Sequence, residues 1–148
     1  MKKIFSISLV FLLLLTLMGC GEKSALDTNA LKDDVLKNVA FEVELEKVGD
    51  TAVSVMFTLD DSVEAEVYKG SSVYPDQFAI FKAKDKASAN ATKKMLEDYK
   101  QSLLTDYSHY NAQQITKIEN AIIYTRGNDV VFVICDDKSK ALEIIKNH

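Results

Sequence analysis

Apolar and polar positions repeat with two different periods from residue 63 to the end of the chain. Apolar and polar residues alternate from residue 63 onward, which predicts a half-buried strand, and three later segments are mainly apolar runs of strand length. A period of three to four predicts a long helix from Asp85 or Ser88 to about Tyr110 and a closing helix after Asp136-Asp137. The predicted strands cover residues 63–68, 78–83, 121–125 and 130–134.

The resulting order, β-β-α-β-β-α, indicates how these elements pack. Gly127-Asn128 supplies the positive φ angles that a tight hairpin requires, and both faces of residues 130–134 are apolar, as expected of a central strand. Hairpins build antiparallel sheets, and two amphipathic helices need a sheet face to cover. We therefore predict an α+β fold, a two-layer sandwich. It has an antiparallel sheet of about four strands, helices on one face, and N-terminal helical elements on an edge or end.

The first third of the predicted domain has a less regular pattern. Asp27 or Thr28 can cap a helix that ends near Val39. The strict alternation over residues 41–46 predicts a strand with an acidic outer face. Residues 52–59 remain ambiguous, because their Val, Phe and Thr content favours a strand whereas the spacing of their apolar residues fits one face of a helix.

The N-terminus has the pattern of an export signal. Two lysines precede a run from Ile4 to Met18 that has no charged residue and is shorter than the about 20 apolar residues of a spanning helix. The run ends in Leu17-Met18-Gly19-Cys20, which resembles the bacterial lipobox. That resemblance implies cleavage before Cys20 and a diacylglycerol on its sulfur. The alternative is an uncleaved transmembrane anchor in which Cys20 is incidental.

This interpretation divides the chain into a signal peptide that is removed, residues 1–19, a lipidated cysteine with a short tether, residues 20–27, and a single α+β domain, residues 28–148. Removing the signal takes away two of the 18 basic residues and none of the 22 acidic ones, so the net charge becomes −6. An acidic surface does not attract nucleic acid or anionic head groups. We therefore expect membrane contact through the lipid on Cys20, no nucleic-acid partner, and a location on the outer face of the cytoplasmic membrane.

Side chains that commonly carry chemistry are few and scattered. His109 and His148 are the only histidines and lie far apart, so no metal-ligand spacing is present, and His109 is expected to be a surface or packing residue. Cys135 follows an apolar strand and is expected to be a buried small hydrophobe rather than a nucleophile. No calcium loop, phosphate loop, dinucleotide motif or G-x-S-x-G is present. The sequence predicts no catalytic, metal-binding or cofactor-binding residue.

Acidic and aromatic clusters also have structural interpretations. Tyr99, Tyr107 and Tyr110 lie on the apolar stripe of the long helix and are expected in the core or at its edge. An exposed ridge of these tyrosines would instead suit a peptide or glycan partner. The clustered acids are expected to be helix caps or a solvated strand face. These acids are Glu42, Glu44, Glu46, Asp60-Asp61 and Asp136-Asp137.

The order of motifs after residue 77 resembles a known family. Residues 78–85, then the long helix, then Arg126-Gly127-Asn128 opening an apolar strand that ends in Asp136-Asp137, are similar to the Gram-positive lipoproteins grouped as domain of unknown function family 4358. The resemblance covers about residues 28–147. This chain differs at Asp129, where an aromatic residue is common, and at Cys135, where serine is common. The resemblance implies a helix over residues 52–59 and assigns no activity and no functional residue.

These observations favour a non-enzymatic lipoprotein that presents a small acidic domain to an envelope protein or a small ligand. Two alternatives remain open. One is a small envelope enzyme whose Asp, Glu, Lys and Tyr site has no sequence motif. The other is a structural accessory subunit of a larger membrane complex.

Overall fold

The structure, a computed structural model, describes residues 25–148, so the predicted signal and Cys20 lie outside the described residues. Its strands form one antiparallel sheet. The strands are β1 (Glu46–Lys47), β2 (Val63–Lys69), β3 (Gln77–Ala83), β4 (Ile122–Arg126) and β5 (Asp129–Ile134). The α-helices are α1 (Thr28–Asn38), α2 (Asp50–Met56), α3 (Lys86–Tyr110), α4 (Ile115–Glu119) and α5 (Lys138–Asn147), and a 3₁₀ turn, Ala112–Gln114, precedes α4. The strand order across the sheet is β1-β2-β3-β5-β4.

Helices cover both faces of this sheet. On the central strand β3, Phe78 and Ile80 point into a core shared with α1 and α5, whereas Ala79 and Phe81 point into a second core beneath α3. The predicted α+β class and antiparallel sheet are confirmed, and the order β-β-α-β-β-α is correct apart from the short α4. The helices lie on two faces instead of the predicted one. The reason is that β3 and β5 are apolar on both sides, and each apolar face needs a cover.

Aspartates cap the N-termini of three helices. The side chains of Asp27, Asp85 and Asp137 each accept a hydrogen bond, of 2.8 to 3.1 Å, from the backbone N–H three residues further along. These bonds satisfy donors that the first turn of a helix leaves free. The structure thus selects Asp27 and Asp85 from the predicted alternatives. It also shows that Asp137 caps α5, which leaves Asp136 for another contact.

The β4–β5 hairpin is confirmed, and its turn is as short as the sequence predicts. Arg126 pairs with Asp129 across the hairpin, so only Gly127-Asn128 lie between the strands. Gly127 has a φ of 58°, and no non-glycine residue among those described has a positive φ. Glycine alone therefore supplies the left-handed backbone that this turn requires.

The predicted strand over residues 41–46 is wrong for all but its last residue. Residues 41–45 have no regular structure, and only Glu46 joins the sheet, in β1. Tertiary hydrogen bonds hold this segment instead of a ladder: Glu42 N–H donates to Asp76 Oδ1 at 2.9 Å, and Ala40 C=O accepts from Asp136 N–H at 3.1 Å. The ambiguous residues 52–59 are helical to Met56 within α2, and residues 57–59 have no regular structure.

The sheet has two ends that carry different residues. We call the end with the Gly127-Asn128 turn, where β3 stops and β2 begins, the hairpin end. We call the opposite end, where residues 70–76 connect β2 to β3 and where β5 stops, the loop end. Helix α3 runs from the hairpin end to the loop end. Among residues 25–148, no helix has both the length and the apolar character needed to cross a bilayer.

Candidate functional site

The residues that the sequence analysis considered for chemistry do not meet in one place. His109 is exposed on α3, whereas Nε2 of His148 lies 3.0 Å from Oδ2 of Asp34. Cys135 is buried in the core beneath α1 and α5, as predicted, and burial, reinforced by nearby acids, raises the pKa of its thiol to about 12. Residues 25–148 contain no group of three His, Cys, Asp or Glu side chains that could hold a metal ion.

The three tyrosines of α3 do not form an exposed ridge. Tyr107 is buried and Tyr99 is partly buried, which confirms the prediction of core or core-edge positions for these two, whereas the prediction is wrong for Tyr110, which is 59% exposed. Tyr99 Oη donates to Oε1 of the buried Gln77 at 3.1 Å, and burial raises the pKa of this tyrosine to about 12. The tyrosines of α3 are therefore mainly packing residues.

One lysine surrounded by three carboxylates is the most concentrated group of charges that the described chain brings together. Lys117 Nζ lies 2.7 Å from Glu42 Oε2, 2.7 Å from Asp136 Oδ1 and 3.2 Å from Asp76 Oδ2. We call these four residues the Lys117 cluster. It lies at the loop end of the sheet.

Strand pairing brings the cluster together. Asp76 directly precedes β3, and Asp136 is the second residue after β5. Because β3 and β5 are antiparallel, with Gln77 opposite Ile134, both acids come to the loop end. Lys117 is on the short helix α4, whose Ile118 is buried in the core beneath α3. The fold thus joins four segments that are distant in sequence.

Burial differs strongly among the members of the cluster. The Asp76 side chain is fully buried and that of Lys117 is 11% exposed, whereas the side chains of Glu42 and Asp136 are 39% and 45% exposed. Two carboxylates therefore face solvent around an ammonium that is itself nearly enclosed. A buried ion pair of this kind must be well hydrogen-bonded to offset the loss of hydration.

The hydrogen bonds of the cluster favour the charged forms of Lys117 and Glu42. Burial alone would lower the pKa of Lys117, but hydrogen bonds to Asp136, Glu42 and Asp76 raise it above its ordinary value. The hydrogen bond from Lys117 in turn lowers the pKa of Glu42, and Gln114 Nε2 adds a second donor to that carboxylate at 3.1 Å. A protonated, hydrogen-bonded lysine is a poor nucleophile and a poor base. The arrangement suits charge pairing between segments rather than proton transfer.

A groove of about 400 Å³ adjoins the cluster through Glu42. Most of its lining side chains are apolar, but about half of the surface that it exposes is polar, and its size lies within the range of small-ligand sites. We call it the 36–45 groove. Its lining residues are Leu36, Val39, Phe41, Glu42, Val43, Glu44, Leu45 and Tyr68.

Sequence reasoning missed the cluster. Lys117 and Asp76 were not candidates, and Glu42 and Asp136 were expected to be part of a solvated strand face and a helix cap. No local spacing connects residues 42, 76, 117 and 136. The sequence places Asp76 before one predicted strand and Asp136 after another, but it does not predict that these two strands pair.

Comparison with known protein families gives a match. The sequence profile of the family described as a domain of unknown function, DUF4358, matches residues 37–135, a range that includes three of the four residues of the Lys117 cluster. Neither the curated proteins nor the solved structures give a match to this chain. Since the matched range covers more than half of the sequence, this chain belongs to the DUF4358 family.

Proposed function

We propose that this protein is an exported lipoprotein of a Gram-positive bacterium, held at the outer face of the cytoplasmic membrane by lipid on Cys20. Its domain binds an envelope protein or a small ligand and catalyses no reaction. The observation that carries the proposal is the N-terminal pattern, in which an uncharged run too short to span the bilayer ends in Leu17-Met18-Gly19-Cys20. Two or more acyl chains on one cysteine would give a stable anchor, because each buried methylene contributes about 0.8 kcal/mol.

The domain supports a binding role through its surface. The 36–45 groove is open to solvent, and its mixed polar and apolar surface, with Glu42 and Glu44, offers both hydrophobic contact and charge. The two most reactive side-chain types nearby are held in inert states, since Lys117 is ion-paired and Cys135 is buried. We assign binding to this groove.

Mass spectrometry of the native protein tests the anchor. We expect a mature chain that begins at Cys20 and carries diacylglycerol, and recovery of the protein with the membrane fraction. A Cys20→Ala variant is the control, and it should remain unprocessed and lack the lipid mass. An intact, unlipidated N-terminus on wild-type protein recovered from the cytosol contradicts the proposal.

Site-specific crosslinking in the native membrane tests the binding role. A photoreactive residue at Glu44 lies in the groove, and a matched one at Val55, which is 84% exposed on α2, lies outside it. We expect a reproducible adduct from position 44 that is absent from position 55. No adduct at either position, together with turnover of a substrate panel by the purified protein, would favour an enzyme instead.

A further inference from the structure

The described chain enters the domain at the hairpin end. Leu26 is only 6% exposed and belongs to the core beneath α1 and α5. Its backbone N–H donates to Oδ2 of Asp129 at 3.3 Å, and Asp129 is the first residue of β5, directly after the hairpin turn. The position of Leu26 is therefore fixed by packing and by this hydrogen bond. Only the residues before it are available as a tether.

That tether is short compared with the domain. Six peptide units separate Cys20 from Leu26, and they reach about 20 Å when fully extended and about 13 Å as a flexible coil. The seven residues of β3 extend about 20 Å from the hairpin end to the loop end. The 25 residues of α3 extend about 37 Å in the same direction.

We propose that the hairpin end is the surface of this domain that lies against the lipid head groups, so that the loop end, with the Lys117 cluster and the 36–45 groove, faces away from the membrane. This inference rests on the proposed lipid at Cys20. To bring the loop end to the bilayer, the domain must invert, and the tether must then run back along the whole sheet. That path uses its full extended length and leaves the chain almost no conformational freedom.

Charge does not oppose this orientation. The loop end carries the exposed acids Glu42, Glu44, Asp136 and Asp137 together with the exposed Lys138. The hairpin end also carries both signs, with Lys82 and Lys84 among Asp60-Asp61 and Asp85. Because both ends carry mixed charges, the short reach of the tether sets the orientation.

The orientation can be measured on the full-length lipidated protein in phosphatidylglycerol–phosphatidylcholine vesicles. Thr125→Cys, next to the turn, and Val73→Cys, on the loop-end connection, are both exposed neutral positions. A fluorophore on each is read against a quencher on the lipid head groups. The native Cys135 is buried and stays unlabelled. We expect quenching at position 125 at least fivefold stronger than at position 73.

A longer tether is the matched control, because it leaves the domain unchanged. Inserting 20 Gly and Ser residues after Glu22 raises the root-mean-square span of the tether to about 28 Å. The quenching at position 125 should then be less than twofold stronger than at position 73. Equal quenching with the natural tether, or stronger quenching at position 73, contradicts the proposed orientation. If the same protein still floats with the vesicles, the proposed lipid anchor is retained. Protein that does not float with the vesicles contradicts the lipid anchor and the orientation together.

Discussion

Lys117 Nζ lies 3.2 Å from Oδ2 of Asp76, whose side chain is fully buried. A carboxylate with no exposure needs hydrogen-bonding partners that replace its lost hydration. The lysine and the backbone N–H of Glu42 are those partners. The pair connects the start of β3 to α4, and through Glu42 it also connects the irregular segment after α1.

Replacing Lys117 with methionine should destabilise the domain strongly. The change keeps most of the side-chain volume but leaves the buried carboxylate of Asp76 without its counter-charge. Removing one partner of a buried pair typically costs about 3–5 kcal/mol. The free energy of unfolding, measured by urea denaturation, checks this value.

Lys94→Met is the matched control for that substitution. Lys94 pairs with Asp98 at 3.1 Å on the exposed side of α3, and such surface pairs contribute about 0.3–0.5 kcal/mol. The control should therefore leave the free energy of unfolding almost unchanged. If both variants lost a similar free energy of unfolding, the burial of Asp76 would not make its pair with Lys117 stronger than a surface pair.

The charge on Glu42 should make stability fall in acid. Its pKa is lowered below its ordinary value of 4.5, chiefly by the hydrogen bond from Lys117, so the ionised form stabilises the fold. A group with a lowered folded pKa contributes fully above its unfolded pKa and loses that contribution as the pH falls through its folded pKa. The raised pKa of Lys117 affects stability only in strong alkali, so it does not contribute to the change in stability at acid pH.

A Glu42→Gln variant isolates this effect. At pH 7 it should be less stable than the natural chain, and the difference should shrink as the pH is lowered from 5 to 3. Urea midpoints measured across that range provide the comparison. A difference that is constant with pH would assign the loss to shape or packing rather than to charge.

Gly70 is required by its neighbour and not by its backbone angle. A Cβ at this position would overlap Cγ2 of Val43, a stiff β-branched side chain that packs against the β2–β3 connection. Gly70→Ala should therefore cost about 1–3 kcal/mol of unfolding free energy, as overpacking does. The double variant with Val43→Ala should recover part of this loss, and strict additivity in the cycle would show that the two positions do not touch.

The Cys135 thiol should be inert in the native protein. Burial and neighbouring acids raise its pKa to about 12, so its thiolate fraction at pH 8 is about 1,000-fold below that of a free cysteine. A chromogenic disulfide reagent should label the lipidated protein only after denaturant unfolds it. Rapid labelling of the folded protein would place this thiol at the surface.

Most of the fold follows from residue patterns. The hairpin is specified by Gly127-Asn128 between apolar runs, and three helix starts are specified by single aspartates. The pattern of the central strands also indicates helices on both faces of the sheet, because residues 78–81 and 130–134 are apolar on both sides. If one face of the sheet were exposed to solvent, its central strands would alternate between apolar and polar residues.

Two features could not be read from local pattern. The alternation over residues 41–46 fits a strand, but long-range bonds from Glu42 to Asp76 and from Asp136 to Ala40 hold the chain in another path. The Lys117 cluster is hidden for the same reason. Its four residues come from four segments, and only the completed fold makes them neighbours.

The loop end also contains a connection that is exposed and yet firmly held. Tyr107 and Tyr110 both donate from Oη to the carbonyl oxygen of Ser72, at 3.2 and 3.3 Å, and Asn111 Nδ2 donates to that of Val73 at 3.1 Å. The last turn of α3 therefore fixes the backbone between β2 and β3. A protease needs a segment that it can draw into extended form, so these residues should resist cleavage despite their accessibility.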